Sequence, residues 1–162
     1  MKNKNLSFMT QAAMIAAIYV VLTYIFAPFS FGEVQVRISE ALTILPIFTP
    51  AAIPGLFAGC LIGNILGGAI LPDIVFGSIA TLIGAFFTWK LREQKPVVAT
   101  FPPIISNIII VPFVLRYGYG VTLPIPFMML TVGIGEVISC TVLGLIVYGA
   151  LNKYKSTLFR TA

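Results

Sequence analysis

ISEALTILPIFTPAAIPGLFAGCLIGNILGGAI, residues 38–70, is one unbroken apolar run, and its reading decides the fold. It is too long for a single membrane-crossing helix, which takes roughly 20 residues. It also carries Pro46, Pro50 and Pro54. Thr49–Pro50 is a helix-start signal: threonine caps a first turn, and proline suits the first helical position, where its missing N–H costs nothing. The run therefore divides into a short helix over about 38–48 and a full one over about 50–68.

Outward from this stretch lie further apolar runs at 8–29, 72–89, 97–115 and 123–150. The charges test the division. Lys2 and Lys4 form one basic group, Lys90, Arg92 and Lys95 a second, and Lys153, Lys155 and Arg160 a third. Basic residues concentrate on the cytoplasmic side of a membrane, so all three groups belong on one side. That demands an even number of spans before residue 90 and an even number after it. Four and then two satisfy the demand, whereas an undivided 38–70 leaves three. The expectation is an all-α integral membrane protein, a single transmembrane domain over 1–162. It has six spans (8–29, 38–48, 50–68, 72–89, 97–115, 123–150) and both termini cytoplasmic.

Composition agrees. Hydrophobic residues make up 59% and charged residues 9%, against roughly 45–50% and ~25% in soluble domains. The net charge of +5 sits at the tips of apolar segments rather than on one face, so it marks orientation and not nucleic-acid binding. With no histidine, His-based triads and His metal sites are excluded. Cys60 and Cys140 have neither zinc nor CxxC spacing and read as small packing residues. The first run lacks a small-residue cleavage site and reads as a retained span. No phosphate-binding GxxxxGK, nucleophile–base set or metal cluster is visible, so neither catalysis nor a cofactor is expected. Inverted repeats of the secondary-transporter kind are absent too.

Small residues mark helix contacts. Ala51, Gly55, Gly59, Gly63 and Gly67 recur every fourth position, a ladder that lets two backbones approach closely in lipid. Ala12 with Ala16, and Ala13 with Ala17, make a smooth face on the first run, suited equally to packing within the fold or onto a partner.

Charged and polar groups at membrane depth are costly and mark candidate sites. Glu136 lies ~20 Å along the last run and Asn107 ~13 Å below the outer end of the fifth, at 1.5 Å per residue; the two share a depth. Cys140 and Gly144 follow Glu136 at four-residue steps on its helix face. Asp73 after Pro72, and Glu40, each begin a helix, where a carboxylate is favoured by the dipole; capping and ligand binding both explain them. Arg37 reads as a surface pair with Glu33 or Glu40. Phe29, Phe31, Tyr117 and Tyr119 gather on the outer side as an interfacial belt or a ligand mouth.

Arg37-Ile38-Ser39-Glu40-Ala41-Leu42-Thr43-Ile44-Leu45-Pro46, continuing through Thr49–Phe57 to Gly59-Cys60-Leu61, resembles the QueT family, as does Asp73–Leu82. Length and span count extend the resemblance over nearly the whole chain. It implies a six-helix, substrate-binding S component of an energy-coupling factor (ECF) importer, in a prokaryotic plasma membrane, for the queuosine precursor 7-aminomethyl-7-deazaguanine. ATP hydrolysis then belongs to two cytoplasmic ATPase partners joined by a transmembrane coupling protein, and Ala12, Ala13, Ala16 and Ala17 would dock on the latter. The implied ligand suits the polar residues. Glu136 would accept its guanine edge, Asn107 would orient it and Asp73 or Glu40 would meet its amine, while Phe29 and Phe31 would close over the ring. The alternatives are an S component for another purine or a vitamin, a solitary carrier, or a membrane assembly protein.

Overall fold

The computed structural model describes residues 2–30 and 36–159. Among them every regular element is helical. We label α1 Lys2–Ile25, α2 Ala52–Leu66, α3 Leu71–Lys90, α4 Phe101–Phe113, α5 Ile125–Glu136 and α6 Gly144–Asn152. A 3₁₀ helix, Ile38–Ile47, lies between α1 and α2. π-helical turns follow α4 (Val114–Gly118) and join α5 to α6 (Val137–Leu143).

Among the described residues four stretches are long and apolar enough to cross a membrane: Lys4–Ile25, Leu71–Lys90, Pro96–Gly118 and Ile125–Asn152. The 3₁₀ helix and α2 are shorter apolar helices. The distribution of side chains is that of a protein solvated by lipid. Met14, Ile18, Leu130 and Ile146 are exposed, while Glu40, Asn64, Asp73, Asn107 and Glu136 are buried. Water would reverse that preference.

The α-helix expected over 38–48 is instead a 3₁₀ helix of 10 residues, longer than such helices usually run. Pro46 removes a donor from its last turn. The Thr43 hydroxyl donates to the Glu40 carbonyl at 2.6 Å, taking up an acceptor that a continuing α-helix would use. Ser39 to Pro46 are buried without interruption, because the element is wrapped by α1, α3, α6 and the second π turn.

The glycine ladder holds α1 against α2. A Cβ at Gly55 would come 2.7 Å from the Ala12 carbonyl oxygen, and one at Gly59 2.7 Å from Tyr19 Cβ. Gly63 faces Thr23 at 3.3 Å. The two alanine pairs thus part company. Ala12 and Ala16 turn their backbone toward this seam, whereas Ala13 and Ala17 are exposed. The turn from α2 to α3 passes through Gly68 at φ +75°, a region open to glycine and strained for other residues. Beyond it α3 packs on α2 and α4, and Gly84 would place a Cβ 2.6 Å from Pro103 Cα.

Candidate functional site

The long 3₁₀ helix and the second π turn meet at the centre of the bundle, and the carboxylates come with them. Glu40 leaves the first turn of the 3₁₀ helix, and Glu136 is the last residue of α5 before the π turn. Both are buried, at 1% and 3% exposure. One donor atom each from Glu40, Glu136 and Cys140 falls within 4.8 Å of the others. The π turn matters here, since a wider turn re-aims the side chains that follow it, and such turns favour functional sites.

Donors surround the pair. The Tyr19 hydroxyl donates to Glu40 Oε1. The Cys140 thiol donates to Glu136 Oε2 at 3.1 Å, and the Thr43 hydroxyl stands 3.5 Å from that sulfur. The Asn107 side chain is buried on α4, which packs against α5. Glu40 Oε2 and Ser139 Oγ are buried and accept or donate no hydrogen bond among the described residues. An acceptor left unmatched at that depth costs about 1–3 kcal/mol, and a ligand N–H would recover it. Two carboxyl groups and a thiol are a donor set for a cation or a donor-rich ligand.

Asp73 belongs to a second, adjoining cluster. It stands in the first turn of α3, as expected, where the N-cap, Ile70, makes no side-chain capping bond. Its Oδ2 instead accepts from the Tyr119 hydroxyl at 3.0 Å and lies 3.5 Å from Arg37 Nη2. Arg37 is therefore not the surface residue expected from its place in an outer loop; it is 5% exposed and pairs with Asp73. Asn64 donates to the Asp73 carbonyl at 3.4 Å. Gly77 leaves the floor open, since a Cβ there would meet Asp73 Oδ1 at 3.1 Å and Asn64 Nδ2 at 3.3 Å.

Phe31 and Glu33 lie outside the described residues, and Phe29 is described only as backbone of the short helix Ala27–Ser30. Tyr19, Asn64, Arg37 and Cys140 join the two clusters without having been singled out as site residues. For Tyr19 and Asn64 a signal was present: each sets a polar tip in the middle of an apolar run, where it must find a partner.

Tyr119 also ties the loop after α4 to the start of α3, because its oxygen accepts from Ile70 N at 3.4 Å. Burial, and then the Asp73 carboxylate, push its phenol up from the ordinary value of 10.0. A group raised on folding stabilises fully below its unfolded value, and the contribution is lost as pH climbs through the folded one. Tyr119→Phe is thus expected to cost about 1 kcal/mol at neutral pH. The difference from wild type should shrink only under strongly alkaline conditions, as read by thermal unfolding in detergent.

Lipid-facing apolar helices around a buried polar centre define a helical membrane protein. The particular family follows from comparison with known proteins. The chain matches the profile described as "QueT transporter" over residues 9–153, and it belongs to that family. A relative from Lactococcus lactis subsp. cremoris, named "Queuosine precursor transporter QueT", is 33% identical over 84 residues. That match covers 51% of this chain and 48% of the relative, so the shared stretch spans about half the relative's length. No solved structure matches the chain.

Proposed function

We propose that this protein is the substrate-binding S component of an ECF importer and takes up 7-aminomethyl-7-deazaguanine. In this reading it crosses the plasma membrane six times with both termini in the cytoplasm. Two ATPases and a transmembrane coupling protein do the energised work, and the exposed Ala13–Ala17 face of α1 meets the coupling protein.

The observation that carries the ligand reading is the approach of Glu40 to Glu136. In the proposed ligand a ring N–H and the aminomethyl nitrogen flank one ring carbonyl. Two carboxyl groups side by side can take one each, with an amide donating to the carbonyl between them. Glu136 then reads the guanine edge, Asn107 serves the carbonyl, and Glu40 meets the ammonium through the oxygen that lacks a donor. Asp73, engaged by Arg37 and Tyr119, forms the adjoining wall. Phe29 and Phe31 are proposed to close over the ring.

Calorimetry on the purified chain tests this with the aminomethyl base, guanine and the 7-cyano analogue. The aminomethyl base is expected to bind about 10–100-fold more tightly than the other two, the worth of one charged hydrogen bond. Equal binding of all three removes the amine contact, and no binding in a folded sample removes the substrate. Dependence of uptake on the ATPase partners checks the ECF role.

A further inference from the structure

We propose that the basic end of the bundle holds an anionic phospholipid, with its phosphate between Arg92 and Lys155 and an acyl chain lying between α1 and α6. This does not depend on the substrate reading.

A basin of about 410 Å³ opens where the loop after α3 meets the end of α6. Arg92 and Lys155 reach it from different segments, and Tyr148, Asn152 and Ser156 add neutral donors. Among the described residues, no carboxylate lines it. Arg92 pairs instead with Glu93, at 3.7 Å and 83% exposed, a pair that water screens heavily. Phe48 stacks on Tyr148 and on Phe159, each at 5.3 Å, which gives the basin an apolar wall. Lys90 and Asn152 end the spans beside it, so the basin sits at headgroup depth.

Phe159 also lines a second groove, of about 430 Å³. That groove runs along Met14 and Ile18 of α1 and Val147 and Leu151 of α6, and its lining is almost wholly apolar. A polar basin with two cations beside an apolar channel, with Phe159 lining both, has the form of a phospholipid, headgroup first and chain behind. Free phosphate would satisfy the basin but would leave the channel unexplained. Basic pockets between helices on the cytoplasmic side select anionic headgroups.

The test uses the full chain in nanodiscs of phosphatidylcholine alone or mixed with phosphatidylglycerol, and native mass spectrometry to count retained lipid. Wild type is expected to retain phosphatidylglycerol selectively. The double variant Arg92→Gln/Lys155→Gln should retain it about 10-fold less or weaker still, while Lys95→Gln, outside the basin, should leave retention unchanged. Ala150→Phe, which fills the channel, should lower retention with both cations intact. Equal retention by the double variant would overturn the proposal. So would displacement of the lipid by inorganic phosphate alone at comparable concentration. Unchanged lipid retention alongside lost capture of a partner membrane protein would assign the groove to that partner and overturn it as well.

Discussion

Glu136→Gln is expected to weaken binding of 7-aminomethyl-7-deazaguanine by about 100-fold or more, because truncating one member of a buried charged hydrogen-bond pair costs about 2–5 kcal/mol. Glutamine keeps the shape of the side chain and can still accept from Cys140, whose thiol lies 3.1 Å from the carboxylate. It also turns an N–H toward a ligand edge that itself offers N–H groups, so one donor pair is left facing another at 3% exposure. The fold should survive, because the change removes a buried carboxyl from within 4.8 Å of Glu40. Calorimetry with two ligands separates the roles. If Glu136 reads the guanine edge, the variant loses guanine and the aminomethyl base by the same factor. If it meets the ammonium instead, only the aminomethyl base suffers and guanine is spared. Glu40→Gln should show that second pattern. Unchanged affinity for both ligands in Glu136→Gln would remove Glu136 from the site.

The largest structural effect is expected at Gly55→Val. The first added carbon would stand 2.7 Å from the Ala12 carbonyl oxygen and 3.2 Å from Ala12 Cα. These are backbone atoms, so no rotamer change relieves the clash and α1 must move as a body. Overpacking of this kind costs about 3 kcal/mol, or a fall of about 10 °C in thermal midpoint for a chain of this size. In lipid the loss is not softened by apolar burial elsewhere, since close backbone contact is what holds such helices together. Gly63→Ala is the graded comparison: its neighbours are Thr23 side-chain atoms at 3.3 Å, which can shift by a few tenths of an ångström. Gly149→Ala, with open space around it, should be neutral. Moving α1 also carries Tyr19 away from Glu40, so Gly55→Val should bind ligand poorly in whatever fraction remains folded. A midpoint unchanged from wild type would mean that the ladder is not the α1–α2 seam.

Hydropathy alone determined the class of this protein. Apolar runs near spanning length, 9% charge and basic tips have one economical solution, helices in lipid, because each unsatisfied backbone group in hydrocarbon costs several kcal/mol. A similar cost made Glu136 and Asn107 visible as individuals, since a charge or amide at membrane depth stands out against its run, while Glu40 and Asp73 were visible as carboxylates at helix starts. The break near Thr49–Pro50 was legible for a local reason, proline's missing N–H. What lies on either side of it was not wholly legible. Whether 38–47 winds as an α-helix or a 3₁₀ helix depends on burial from every side and on the competing Thr43 hydroxyl, neither of which periodicity reports. Arg37 was misread because its partner, Asp73, is 36 positions away and reaches it only through the packing of α3 on the 3₁₀ helix. Glu40 and Glu136 stand still further apart in the chain, and the turn that aims them together is a π turn with no signature of its own in the residues Val137–Leu143. Local chemistry tells which groups need a partner; which partner each one finds is set by long-range packing, and that only the tertiary structure decides.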